Sequence, residues 1–317
     1  MARTEQDSMA LGFADAGVLA FDVGGTDMKS GVVTADGSVL GLKRHKTPLD
    51  PARPGEAILE RIAELFAEYS RQYPAGTFEA VGITVPGLVD EANGIGIYSA
   101  NLGWRDFPFR ERAEQLLGLP VAFGHDVASA GAAEMELGAA QEFQDAMIMV
   151  VGTGIAAAIF TSGQAVSAGG FAGEIGHAMV PDPDGSGAVI LESVGSAGAI
   201  AKRYRRHTGT EVDGAREVLE RALTGEPEAL KIWNQAVEAL AFSICQCVSI
   251  LGTEAVVIGG GLSAAGEALL DPLRHAVDDA LDFQRRPVIR AASLGQDAGM
   301  LGSALRARAR LLEARLP

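Results

Sequence analysis

Two short glycine-rich runs constrain what this chain can fold into more than any other feature. They are Phe21-Asp22-Val23-Gly24-Gly25-Thr26-Asp27-Met28-Lys29 and Met149-Val150-Val151-Gly152-Thr153-Gly154-Ile155-Ala156-Ala157. Each follows an apolar strand pattern and precedes another apolar run, Ser30 to Leu42 and Ala158 to Val166. Both therefore read as tight β-hairpin turns made of small residues and a Thr hydroxyl. Glycine lets the backbone approach a ligand and leaves amides pointing outward, which suits a phosphate. Two such turns suggest two half-domains closing on a nucleotide.

The chain has 317 residues and 48% hydrophobic content, enough for large cores and for about two domains. Its 41 acidic and 26 basic residues give a formal charge of −15, a field that repels polyanions and disfavours a nucleic-acid role. The cysteines, Cys245 and Cys247, lie two apart in an apolar helical pattern and point in different directions. Neither a disulfide framework nor a structural zinc site is supported by them, and a reducing compartment is expected. Residues 1–17 carry Arg3, Glu5, Asp7 and Asp15 with no apolar core, so a disordered tail is expected there rather than a signal peptide. No uninterrupted apolar stretch reaches about 18 residues, so no membrane span is expected and the reading is a soluble, cytoplasmic protein.

Along the chain, Val18–Val23, Ser30–Val33 and Val39–Lys43 read as strands, with Asp36-Gly37 as a hairpin signal. Ile58, Ile62, Leu65, Phe66 and Tyr69 recur at helical spacing. Val81–Val85 is a buried strand, Asn101–Phe107 a loop, Arg110–Leu117 a helix and Val121–Gly124 a strand. An alanine-rich helix, Val127–Leu137, opens after Asp126. Met147–Val151 starts a second β-turn-β unit, so the architecture looks duplicated. A helical stretch from about Gly214 to Leu251, a strand Ala255–Ile258 and a last helix from about Ala298 to Leu312 complete the pattern. The predicted division is an N-terminal α/β domain of 18–126 plus 299–317 and a larger C-terminal one of 127–298.

Several residues then stand out chemically. Asp22 ends a buried strand, where a charge is costly unless it has a job such as orienting a metal-phosphate or its hydrated shell. Lys29 either neutralises a phosphate or is a solvated strand lysine. Gly259-Gly260-Gly261-Leu262-Ser263 is either a plain strand-to-helix turn or a close approach to adenine or ribose. Asp126, at a strand end and a helix start, is either an N-cap or a general base that takes a hydroxyl proton during attack on a γ-phosphoryl group. Gly173-Glu174-Ile175-Gly176-His177 and Glu192 offer carboxylate and imidazole groups suited to a polyhydroxylated ligand, with a satisfied core histidine as the plainer reading of His177. Asn101, in Ser99-Ala100-Asn101-Leu102-Gly103-Trp104, either makes a turn or clamps two hydroxyls.

The ordered set Asp22-x-Gly-Gly-Thr26, Val85-Pro-Gly-Leu-Val-Asp90, Asn101-Leu-Gly-Trp104, Asp126, Gly152-Thr-Gly154, Gly173-Glu-Ile-Gly-His177, Gly259-Gly-Gly261 and Asp297-Ala-Gly299 resembles the ROK family of sugar kinases and repressors. The resemblance runs from about Val18 to Leu312. It implies the two-domain, actin-like ATPase (ribonuclease H-like) α/β fold with an interdomain cleft that closes on sugar. By the same resemblance Asp126 is the catalytic base toward a sugar hydroxyl, most often O6, and Asn101, Glu174, His177 and Glu192 hold the sugar. Gly24, Gly25, Thr26, Gly152, Thr153 and Gly154 cradle ATP phosphates with Mg²⁺, Gly260 and Gly261 lie near the adenosine, and a homodimer is implied. Two departures stand out. The segment Val180 to Glu192 lacks the family's zinc-binding cysteines, so no zinc is expected, and His125 stands where the family usually has Asn.

The function expected is ATP-dependent phosphorylation of a hexose or amino sugar. The alternatives are a sugar-binding relative without turnover and a polyphosphate-dependent glucokinase. The latter would want a basic groove, and the one clear basic run is Lys202 to Arg206. A repressor would need a helix-turn-helix ahead of the first strand, where about 17 residues stand, and the acidic charge argues the same way.

Overall fold

In the computed structural model, residues 17–315 are described, and they form two compact units. The tail expected at 1–17 lies outside the described residues except for Gly17, which opens the first strand. The first unit holds the described residues through Glu136, together with 168–171 and 297–315; the second holds 137–167 and 172–296. The sequence pattern divides the chain at 126 and 298, whereas the units divide at 136 and 296.

In the first unit, β1 (Gly17–Val23), β2 (Asp27–Val33) and β3 (Val39–Lys46) form an antiparallel meander. Helix α1 (Pro54–Gln72) follows, then β4 (Phe78–Val85), which pairs parallel with β1. A small sheet comes next: β5 (Leu88–Asp90), β6 (Ile95–Tyr98) and β7 (Arg105–Phe107), all antiparallel. The run expected as a loop at 101–107 thus ends in a strand, because Tyr98 pairs with Arg105 and Gly96 with Phe107. Helix α2 (Phe109–Leu117) leads to β8 (Val121–His125), which pairs parallel with β4, and α3 (Asp126–Leu137) follows without a break. The main sheet has the order β3-β2-β1-β4-β8.

Both faces of the inner part of this sheet are covered, which is why β1, β4 and β8 read as near-continuous apolar runs. Leu19, Phe21, Val81 and Ile83 pack with Ile58, Ile62 and Leu65 of α1 and with Phe109 of α2. The opposite face, Val18, Ala20, Ala80 and Ala122, packs on Met300, Ala304, Ala307 and Leu311 of the C-terminal helix, Ala298–Arg315. That helix comes very close. A Cβ at Gly82 would strike the Ser303 carbonyl, and one at Gly302 would strike the Ser129 carbonyl of α3.

The second unit repeats the scheme. Strands β9 (Ala146–Val151), β10 (Ile155–Thr161) and β11 (Gln164–Ala165) are antiparallel. A separate hairpin of β12 (Met179–Pro181) and β13 (Ala188–Ile190) precedes α4 (Glu192–Gly195) and α5 (Ala197–Thr208). The helical stretch expected from Gly214 breaks at Thr224-Gly225-Glu226 into α6 (Ala215–Leu223) and α7 (Pro227–Leu251), with Gly225 in the left-handed region at φ 89° and Pro227 opening the new helix. Strand β14 (Ala255–Gly259), α8 (Glu267–Ala280) and β15 (Val288–Ala291) follow, and the sheet order β11-β10-β9-β14-β15 has the same three antiparallel and two parallel strands. Helix α7 is long and apolar enough to cross a membrane by length and composition. Its Ile232, Trp233, Ala236, Leu240 and Ile244 are nonetheless buried in the core of this unit with Met147, Met149, Ile258 and Leu273.

Candidate functional site

Each glycine turn closes the hairpin expected of it. In the first, Val23 pairs with Met28, the Gly24 amide donates to the Asp27 carbonyl (2.9 Å), and Thr47 Oγ1 donates to the Gly24 carbonyl (2.7 Å). In the second, Val151 pairs with Ile155, the Gly152 amide donates to the Gly154 carbonyl (2.9 Å), and the Ala197 amide of α5 donates to the Gly152 carbonyl (2.9 Å). The glycines divide into two kinds. A Cβ at Gly24 would lie 2.9 Å from the Asp27 carbonyl, and one at Gly154 would lie 2.6 Å from Glu192 Oε2, so packing accounts for both. A Cβ at Gly25 or Gly152 would meet nothing within 4 Å. Packing does not demand glycine there, and the space is open for a ligand. The same split separates Gly260, at φ 79° and tight against the Val151 backbone, from Gly261, where the space is open.

Asp22 sits in β1 opposite Lys29. Thr84 Oγ1 donates to its Oδ1 (3.3 Å), and a Cβ at Gly299 would lie 2.6 Å from its Oδ2, so the start of the C-terminal helix closes over it. Burial, and then the negative charge of Asp126, push the Asp22 pKa up to about 6, with Lys29 opposing the rise. The charges of Asp22 and Asp126 thus act on one another. Surplus negative charge at a partly buried carboxylate pair fits a divalent cation carried on phosphate.

Asp126 stands where β8 passes into α3. Its Oδ1 accepts the Val127 amide (2.7 Å) and lies 3.3 Å from His125 Nε2. Asn101 is exposed at the tip of the turn held by the Gly103 amide on the Ser99 carbonyl (2.9 Å), with Leu102 and Trp104 buried beneath as anchors. Asp90 is a turn residue: its carboxylate accepts the Asn93 amide (3.0 Å) and Nδ2 (2.7 Å), which hold its pKa below the usual range.

In the second unit, Glu174 and His177 flank a short 3-10 turn, with His177 Nδ1 3.7 Å from Glu174 Oε2. The His177 side chain is 65% exposed, which excludes the core-histidine reading. Gly173 and Gly176 let this segment lie against the Ala157 and Ile155 carbonyls of β10, where a Cβ would collide. Glu192, at the start of α4, turns to the glycine hairpin, where its Oε2 accepts the Ile155 amide (3.0 Å). Glu174, His177 and Glu192 therefore gather around the first residues of β10.

The segment without cysteines is the β12–β13 hairpin. Its turn residue Asp184 binds Arg203 (3.1 Å), His207 (3.3 Å) and Arg206 of α5. Burial raises the Asp184 pKa, but the Arg203 hydrogen bond and charge outweigh it, so the net shift is downward. Among the described residues, no three His, Cys, Asp or Glu side chains are grouped so as to hold a metal ion.

Three residues around Asp126 escape sequence reasoning. Glu91 accepts the His125 amide (3.0 Å) and pairs with Arg306 (2.7 Å), and Arg306 Nε donates to Ser129 Oγ (2.6 Å). The available signal was Gly124, which interrupts an apolar strand: a Cβ there would lie 2.8 Å from Arg306 Nε.

Twin sheets of one order, each with a glycine hairpin after its first strand, define the actin-like ATPase class of fold. A family model described as the ROK family matches residues 18–310, and the chain belongs to that family. It is similar to a glucokinase of Thermotoga maritima, 31% identical over 90% of this chain and 96% of that one. A glucokinase of Halalkalibacterium halodurans is 29% identical over 91% and 94%. Among solved structures, a ROK family glucokinase from Streptomyces griseus in complex with glucose and AMPPNP has a TM-score of 0.77 at 28% identity, covering 93% of this chain and 100% of that one. With these matches nearly end to end, the protein is a sugar kinase.

Two outcomes follow. Gly25→Ala and Gly152→Ala should fold with unchanged melting temperature yet raise the KM for ATP by roughly tenfold or more, because the added methyl occupies only open space; an unchanged KM would assign that space no ligand. For Asp22 the folded pKa lies above the unfolded one, so the folded state holds its proton more tightly. Stability from this group is present below about pH 4 and is lost as pH rises through about 6, by up to about 3 kcal/mol. Asp22→Asn should therefore raise the melting temperature of the ligand-free protein at pH 8, with the gain vanishing near pH 4. Calorimetry showing no gain at pH 8 would contradict a strained carboxylate.

Proposed function

We propose that the protein transfers the γ-phosphoryl group of ATP to a hydroxyl of a hexose or amino sugar, at O6, with Asp126 as general base. The observation that carries this reading is the placement of Asp126: a carboxylate fixed through Oδ1 at a strand-to-helix joint, coupled to a second carboxylate, Asp22. Such a group can take the proton of the sugar hydroxyl as its oxygen attacks phosphorus. Asn101, Glu174, His177 and Glu192 hold the sugar, Glu192 while also bracing the second glycine turn. The amides of Gly24, Gly25, Thr26, Gly152, Thr153 and Gly154 bind phosphate oxygens, Lys29 neutralises charge, and Gly260 and Gly261 accommodate the nucleoside, the second by its open space. Asp22 would hold Mg²⁺ directly or through water, and the metal supplies charge neutralisation on the phosphates. Phosphoryl transfer needs chiefly positioning and such neutralisation, which these residues supply. Glucose is the first acceptor to test, on the strength of the glucokinase relatives, and we extend to this chain a cytoplasmic homodimer.

Asp126→Asn should retain sugar binding while losing ADP release by at least about 100-fold, measured by calorimetry and a coupled assay across glucose, mannose, N-acetylglucosamine, N-acetylmannosamine and fructose; near-normal turnover would remove Asp126 as the base. In the same assay polyphosphate should not replace ATP. Metal analysis of the purified protein should find no stoichiometric zinc, since Asp184 and its partners in α5 already fasten the segment where the family's cysteines would stand. One zinc per chain would refute this.

A further inference from the structure

His125 is joined to its surroundings at every polar atom by which it could steer Asp126. Its Nδ1 lies 3.3 Å from the Ala128 amide, in the first turn of α3, and a backbone amide can only donate. A nitrogen that accepts carries no proton, so in the neutral ring the proton sits on Nε2. That nitrogen is 3.3 Å from Asp126 Oδ1, within a donor's reach of it. The main chain of His125 is held as well. Its amide donates to Glu91 Oε1 (3.0 Å), and its carbonyl accepts Ser129 Oγ (2.7 Å). Arg306 of the C-terminal helix ties these two partners together, through Nη1 to Glu91 Oε2 (2.7 Å) and Nε to Ser129 Oγ (2.6 Å). The guanidinium reaches them by lying over Gly124, the residue before His125.

We propose that His125 is a positioning residue for Asp126: a neutral imidazole held in its Nε2-protonated form by the Ala128 amide, and anchored through Glu91, Ser129 and Arg306, it fixes the rotation of the Asp126 carboxylate. Oδ1 then carries two donors, the Val127 amide and the His125 ring. The carboxylate plane is thereby set before any sugar arrives, and its other oxygen is presented in one direction. A positively charged ring would lose the Ala128 contact, because both nitrogens would be donors. His125 thus acts on the base by orientation, without taking a proton itself. This rests on the reading of Asp126 as the base.

The test combines structure and kinetics on the full chain. Long-range proton–nitrogen correlation spectra at neutral pH should show His125 with an unprotonated Nδ1 and a protonated Nε2; this readout does not depend on the role of Asp126. His125→Ala should lower kcat by about 10- to 100-fold with the sugar KM changed less than about threefold. His125→Gln, which carries an N–H donor near the Nε2 position, should recover most of that loss. In the Asp126→Asn background His125→Ala should cost nothing further. An Nδ1-protonated or doubly protonated ring, an unchanged kcat in His125→Ala, a rise in sugar KM alone, or a loss that Gln does not repair would each overturn the proposal. Should Asp126→Asn itself turn over normally, it is the base assignment that fails, and the spectra still decide the tautomer.

Discussion

The close approach of the C-terminal helix to the first sheet is the constraint on which the rest of the first unit depends. Gly82 in β4 and Gly302 in the helix remove the side chains that would hold the two apart. At that distance Ser303 Oγ reaches the Phe21 carbonyl (3.2 Å), Gly299 closes over Asp22, and Arg306 lies flat across Gly124 to reach Glu91 and Ser129. One interface therefore covers the apolar face made by Val18, Ala20 and Ala122, sets the environment of Asp22, and braces the joint that carries Asp126. Widening it by a single methyl at either glycine would disturb all three, since the obstacle is backbone and cannot rotate away.

The two units use the same sheet plan for different ends. In the first, the glycine hairpin stands beside a carboxylate whose pKa is raised by burial and by a second carboxylate, so the folded chain holds that charge at a cost in stability. In the second, the hairpin is braced by Glu192 on the Ile155 amide and by the start of α5 on the Gly152 carbonyl. Strain is concentrated at Asp22, and rigidity at the turn that follows β9.

What could be read from the sequence was local. The two hairpins and the Asp126 joint are specified by adjacent residues, and a glycine turn between apolar runs leaves few alternatives. The small sheet β5–β7 and the β12–β13 hairpin escaped, because strands of three or four residues carry almost no periodicity and are defined by pairing alone. The break between α6 and α7 was hidden by helix-forming residues on both sides, although Gly225 and Pro227 marked it. Glu91, Ser129 and Arg306 could not be found, since each is an ordinary polar residue until the fold unites positions from distant parts of the chain. Glycine identity was legible throughout, but not its reason: Gly260 serves packing against Val151, whereas Gly25 and Gly152 keep space clear.

Arg306, Ser303 and Gly299 belong to the first unit, yet the ribosome makes them only after the whole second unit has emerged. Until then the first sheet has one bare apolar face and Asp126 lacks its brace. The nascent chain thus carries both glycine turns before the joint that bears Asp126 has its brace, which comes with the final helix. Synthesis order itself leaves the first sheet incomplete until the last helix is made.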